Sequence, residues 1–259
     1  MTDSPHTARL AGRVALVSGS TRGIGRTIAE LFAAEGAKVA VTGRTVDRGE
    51  KVVQRIRENG GDAEYFSLDI TDESNVRDVM EATVERFGSL TTLINNAAPT
   101  AIVATTFKPI AEYTTDEWNS ILVATLTGNV FWASKYAWPH LQAASAATIV
   151  NISSGASTMG QTGLGAYAAA KGAMNSLTRT LAVEGEPHDI RCNAIIVGRV
   201  VAGRSDTGAG MLKNASAVGN PMQIATTALF LSTADSSFIN GELITADGGL
   251  SMNGDVHMQ

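Results

Sequence analysis

Short β-branched runs alternate with amphipathic helical stretches along this chain, and that alternation restricts its fold more than any other feature. Arg13–Ser18 (RVALVS) is apolar and bounded by glycines, the pattern of a buried strand. It runs into Gly19-Ser20-Thr21-Arg22-Gly23-Ile24-Gly25, then into a helical pattern through Ile28, Ala29, Leu31, Phe32 and Ala33. Lys38–Gly43 is a second strand, and Val46–Asn59 an amphipathic helix stopped by Gly60-Gly61. Ala63–Leu68 is a third strand, and Asp72 is placed to cap a helix running to Phe87. Leu90–Ile94, Ala147–Ile152, Ile190–Val197 and Leu243–Ala246 complete the strands. A loop over Pro99–Thr114 and a long helical stretch over Thr115–Gln142 separate the fourth from the fifth. Arg199–Ala217 is glycine-, serine- and alanine-rich and weakly patterned, as a mobile lid would be, and Pro221–Ser232 is helical.

Alternation without a composition break predicts an α/β protein: one doubly wound, Rossmann-type domain over residues 1–259, with a mostly seven-stranded parallel sheet and a flexible first ten residues. Ligands of such sheets bind beyond the carboxyl ends of the strands. The glycine-rich turn falls at such an end. Its glycines let backbone approach a pyrophosphate, and the following helix offers free N–H groups and a positive dipole end. The bland alternative is a plain tight turn. The second strand ends in Gly43-Arg44, where an acid would hold the ribose 2′-hydroxyl of NAD. Arg44 and Arg22 together suit a 2′-phosphate, which points to NADP(H); two solvated surface arginines are the alternative.

Hydrophobic residues make up 44% and charged residues 17%, so a chain of 259 residues can bury a sizeable core. A net charge of −5, without a basic cluster interleaved with aromatics, argues against nucleic acid and anionic membrane as partners. The single cysteine, Cys192, excludes an intrachain disulfide and a cysteine-based zinc cage, and no metal site is expected. Met1–His6 is polar and no apolar run approaches the ~20 residues of a membrane helix, so a cytoplasmic location is expected.

Tyr167 and Lys171 stand four apart in Tyr-Ala-Ala-Ala-Lys, on one helical face and among small residues that let another body come close. A free phenol, with a pKa near ~10, is a poor acid or base at neutral pH, and a nearby ammonium favours the phenolate. Alone, the pair reads better as surface residues of an alanine-rich helix, since such spacing is common by chance.

In order along the chain stand Ser18-Gly19 to Gly25, Asp69, Asn95-Asn96-Ala97, Ser154, Tyr167-x-x-x-Lys171, Asn193-Ala194 and Asn240-Gly241 through Gly249, with Ser154 thirteen residues before Tyr167. With these pieces the chain resembles the short-chain dehydrogenase/reductase family over nearly its whole length. The resemblance implies that Tyr167 passes a proton to or from the substrate oxygen. Lys171 would hold the nicotinamide ribose and lower the tyrosine pKa, and Ser154 would hydrogen-bond the substrate oxygen. It implies NADP(H) against Gly19, Thr21, Arg22, Gly23, Ile24, Gly25 and Arg44, with Asp69 and Ile70 at the adenine, Asn96 and Ala97 along the adenosine, and Val200 near the carboxamide. A small-molecule alcohol or carbonyl substrate, and a dimer or tetramer joined through the long helix and the Tyr167 helix, are further implications.

Four positions depart from the family pattern. Thr125, in Thr125-Leu126-Thr127-Gly128, takes the place of an asparagine that holds a proton-relaying water; Ala98, Val197 and Ala202 replace a glycine, a proline and a threonine. A threonine hydroxyl can still bond water. Apolar residues such as Pro99, Ile102, Val103, Phe107, Val200 and Met211 suggest an apolar or cyclic substrate of small or medium size. Two functions follow: an NADP(H)-dependent oxidoreductase interconverting a secondary alcohol and a ketone, with Ser154, Tyr167, Lys171 and Thr125 as its catalytic set, or a cofactor-binding sensor or scaffold with little turnover.

Overall fold

The computed structural model describes residues 8–201 and 218–252. Seven strands form one sheet: β1 (Val14–Val17), β2 (Lys38–Gly43), β3 (Asp62–Ser67), β4 (Thr92–Asn95), β5 (Ala147–Ser154), β6 (Ile190–Val197) and β7 (Leu243–Ala246). Their order is β3-β2-β1-β4-β5-β6-β7, and every pairing is parallel. The order reverses direction between β1 and β4, which opens a crevice there.

Both faces of the sheet are covered, which is why its strands read as continuous apolar runs. Ala15 and Val17 face the side packed by α1 (Gly23–Ala34), α2 (Val46–Glu58) and α8 (Pro221–Leu231). Val14 and Leu16 face α3 (Glu73–Phe87), α6 (Ala133–Gln142) and α7 (Gly165–Gly185). Asp72 caps α3 as expected, accepting from the amides of Ser74 and Asn75. Leu10, near the start of the chain, is buried, and Arg9 pairs with Glu35 at 2.6 Å.

Two stretches differ from the sequence expectation. The loop over Pro99–Thr114 contains a short helix, α4 (Thr100–Thr105), and a 3-10 turn at Ile110–Glu112. Small and β-branched residues give α4 only a weak helical pattern. The helical stretch over Thr115–Gln142 is continuous but not uniform: α5 (Thr115–Leu122) passes into a π-helical segment, Val123–Trp132, before α6. Within that segment a Cβ on Gly128 would collide with the Ile70 carbonyl, so the backbone presses directly on the turn after β3. Such wide turns are uncommon and tend to occur at functional sites. Among the described residues no helix is long and apolar enough to cross a membrane.

Candidate active site

The carboxyl ends of the strands open onto a cavity of about 800 Å³. The turn after β1 contributes Gly19, Thr21, Arg22, Gly23, Ile24 and Gly25 to its wall, and the end of β2 contributes Arg44. Asp69 and Ile70 follow β3, Asn96 and Ala97 follow β4, Ser154 ends β5, Tyr167 and Lys171 stand on α7, and Val200 follows β6. Thr125 is the exception. It is fully buried in the π-helical segment, and its neighbour Ala124 reaches the cavity instead. Ala202 and Met211, with most of the expected lid, fall outside the described residues.

The glycine-rich turn is built for close approach. Gly19 has φ +66°, and a Cβ there would lie 2.9 Å from the Ala97 Cα. A Cβ on Gly25 would collide with the Asn96 amide nitrogen and the Gly19 carbonyl. The Ser18 hydroxyl accepts from the Asn96 and Ala97 amides, both at 2.9 Å, and donates to the Asn129 Oδ1 at 2.7 Å. The turn and the β4 end are thereby fixed to each other. Helix α1 starts with no side-chain cap from Arg22 and no acid in its first turn. Its uncapped amides and dipole favour an anion, so the residues present fit a dinucleotide pyrophosphate.

At the end of β2 a Cβ on Gly43 would meet Thr21 Cγ2 at 2.7 Å, so a side chain at this position would require Thr21 to shift. The next residue, Arg44, has no hydrogen bond or ion pair among the described residues. Arg22 Nη2 donates to Thr100 Oγ1 at 2.7 Å, linking the glycine turn to α4. The Asp69 carboxylate accepts from the Thr71 amide (2.9 Å) and hydroxyl (2.7 Å), which shapes the turn it stands in.

Ser154, Tyr167 and Lys171 all line the cavity. The Ser154 hydroxyl accepts from the Ala156 amide at 3.2 Å. Lys171 is 1% exposed; its Nζ donates to the Ile152 carbonyl at 2.6 Å and lies 5.7 Å from the centre of the Tyr167 ring. Burial pushes the Lys171 ammonium down to about 7. Burial also pushes the Tyr167 phenol up, with the Ser154 side chain acting in the opposite direction. The expected lowering of the tyrosine pKa by the lysine therefore does not dominate. A site shielded from water disfavours both ions, and the lysine hydrogen bond goes to a strand carbonyl rather than to the phenol. The Thr125 Oγ1 and Asn129 Nδ2 atoms are buried with no hydrogen-bond partner. An orphaned polar atom of this kind costs about 1–3 kcal/mol, so each calls for a further polar partner.

Sequence reasoning did not single out Thr45 and Arg48 at the start of α2, Thr100 in α4, or Pro221 at the start of α8 as cavity-lining residues. Arg44 and Arg48, four apart where a strand passes into a helix, carried a signal; Thr100 and Pro221 reach the cavity only through the packing of their helices.

The profile described as short chain dehydrogenase matches residues 13–208. The chain is 34% identical over 255 residues to the NADP-dependent (R)-specific alcohol dehydrogenase of Lentilactobacillus kefiri, covering 94% of this chain and 98% of that one. It is 34% identical over 252 residues to the trans-4-hydroxycyclohexanecarboxylate dehydrogenase of Sinomonas cyclohexanicum, covering 93% of each. A crystal structure described as a short-chain alcohol dehydrogenase from Sinorhizobium meliloti superposes with a TM-score of 0.83 at 32% identity, over 94% of this chain and 98% of that one. With the seven-stranded parallel sheet and the matched profile together, this chain belongs to the short-chain dehydrogenase family, oxidoreductases that use nicotinamide cofactors on small-molecule substrates.

Proposed function

We propose that this protein interconverts a secondary alcohol and a ketone with NADP(H), acting in the cytoplasm as a dimer or tetramer on a small or medium, apolar or cyclic substrate. The observation that carries the reading is the convergence of Ser154, Tyr167 and Lys171 on the cavity that the glycine turn also lines. The absence of an acid at the end of β2, where Gly43 and Arg44 stand with Arg22 in the same cavity wall, supports NADP(H) over NAD(H). The substrates in the relatives' names, an alcohol and trans-4-hydroxycyclohexanecarboxylate, support the alcohol and cyclic parts of this reading.

The glycine turn and the α1 amides would hold the pyrophosphate, and Lys171 the nicotinamide ribose. When bound, the cofactor supplies or accepts the hydride. In the reducing direction Ser154 donates a hydrogen bond to the carbonyl oxygen, and Tyr167 gives its phenolic proton to the alkoxide that forms. The Lys171 ammonium, close to the phenol ring, stabilises the phenolate left behind. Thr125 anchors a water that returns a proton towards Lys171, its hydroxyl being free to do so. The buried, unpaired Thr125 is also what favours the second reading, a cofactor-binding sensor with a broken relay.

Turnover of NADPH against a panel of ketones, and of NADP+ against a panel of cyclic alcohols, separates the two. Wild type should turn over at least one of them. Tyr167→Phe should lose roughly 10²–10⁴-fold in kcat while cofactor affinity is retained. Full activity in Tyr167→Phe would overturn the acid–base assignment, and an inactive wild type would favour the sensor.

A further inference from the structure

A second cavity, of about 450 Å³, runs between α1 and α2. Its charged wall is Arg22 and Arg26 from the start of α1 and Arg48, Lys51 and Arg55 from α2. Thr21, Arg22 and Arg48 line this groove and the cofactor cleft alike, so the two meet at Arg48. Five cations here contrast with a net charge of −5 for the chain. Their charge is only partly balanced. Glu30 lies 3.8 Å from Arg26 and 3.2 Å from Arg55. Arg48 and Lys51 have no ion pair among the described residues. Of the acids of α2, helical spacing turns Glu50 away from the stripe made by Arg48, Lys51 and Arg55, while Asp47 and Glu58 border it beside Lys51.

We propose that Arg48 is a specificity-determining residue that grips the adenosine 2′-phosphate of the cofactor from the α2 side of the cleft, with Arg44. The inference rests on the NADP(H) reading above. A phosphate monoester offers three strong acceptor oxygens and close to two negative charges. Arg44 alone supplies one fork. Arg22 has one of its nitrogens committed to Thr100, so it brings fewer donors to a phosphate. Arg48 supplies a second, uncommitted fork of the kind that binds phosphate oxygens in pairs. The local fold holds it in place. The Tyr65 ring fills the space that a side chain on Gly49 would need, and the Tyr65 hydroxyl donates to the Gly43 carbonyl. Tyr65 thus ties the first turn of α2 to the end of β2, which fixes Arg48 relative to Arg44. Lys51 and Arg55 extend the positive field outwards, where it raises the encounter rate of an anionic ligand more than its grip.

The test is calorimetric binding of adenosine 2′,5′-bisphosphate and of AMP to the purified protein. Wild type, Arg48→Gln, Arg48→Lys, Arg44→Gln and a Lys51→Gln/Arg55→Gln double variant are compared at low and high salt, with thermal melts as a folding check. Loss of one charge-assisted fork should weaken the bisphosphate about tenfold or more in Arg48→Gln. AMP should bind Arg48→Gln as it binds wild type, and Arg48→Lys should fall between, since it keeps charge without the fork. The double variant should lose no more than about threefold, and only at low salt. Bisphosphate binding to Arg48→Gln at wild-type strength would overturn the inference, as would an equal loss of AMP. A loss in Arg44→Gln with none in Arg48→Gln would leave the NADP(H) reading standing and remove only Arg48. Wild type binding both ligands equally would remove both.

Discussion

Lys171 should make the stability of this protein depend on pH in a way that one substitution removes. Its ammonium is buried, and its pKa falls from the ordinary 10.5 to about 7. In the unfolded chain the lysine is protonated up to about pH 10. Between about pH 7 and 10 the unfolded state therefore binds the extra proton, and stability rises with pH across that window. The full difference corresponds to roughly 5 kcal/mol, present above the unfolded pKa and lost as pH falls through the folded one. Lys171→Met keeps most of the stem and removes the titration, although it leaves the Ile152 carbonyl without its 2.6 Å partner. That loss of about 1–3 kcal/mol does not vary with pH. The assay is urea unfolding of both proteins without added cofactor, from pH 6 to 8.5. Wild type should gain roughly 2 kcal/mol on the variant between pH 7 and 8.5, and nothing between pH 6 and 6.5. Burial raises the Cys192 thiol, which opposes stability as pH rises beyond about 8.5. That contribution is common to both proteins and cancels in the difference. Parallel pH profiles would show that Lys171 is not held in a shielded site, and the argument about its ammonium would fail with it.

Gly128→Ala should lower the melting temperature and cost about 1–3 kcal/mol or more in denaturant unfolding, because the added methyl runs into the Ile70 carbonyl. In steady-state kinetics Thr125→Val should lose less than Tyr167→Phe, and Thr125→Asn should keep or raise kcat; a Thr125→Val loss as large as that of Tyr167→Phe would make the hydroxyl indispensable. Phe131 and Val183, 49% and 74% exposed on the long helical stretch and on α7, should be covered in a homo-oligomer. Light scattering at micromolar concentration should then find a dimer or tetramer, and a species of monomer mass alone would refute it.

The sheet was legible before the structure because its signals are local. Lys38–Gly43, Ile190–Val197 and Leu243–Ala246 have in the structure the ends that their apolar runs predict. Asp72 caps its helix through amides two and three residues on, a bond that depends on nothing distant. The glycine turn and the Tyr167-to-Lys171 spacing are likewise short-range patterns, so the alternation and the motif order were enough to determine the fold, and the fourteen residues expected to face a cofactor all line one cleft. What the neighbourhood of each residue does to its chemistry was not written locally. Whether Lys171 is a solvated helix lysine or a buried ammonium depends on β5, whose Ile152 carbonyl receives it. Whether Thr125 reaches the cleft depends on the π-helical register, which accompanies the contact of Gly128 with the turn after β3. Arg22 meets Thr100 only because α4 forms within a stretch whose composition reads as loop. Periodicity and capping are properties of a few adjacent residues, so the sequence alone carried them. Burial, proton affinity and register arise where segments distant in the chain are packed together, and only the tertiary structure decided those.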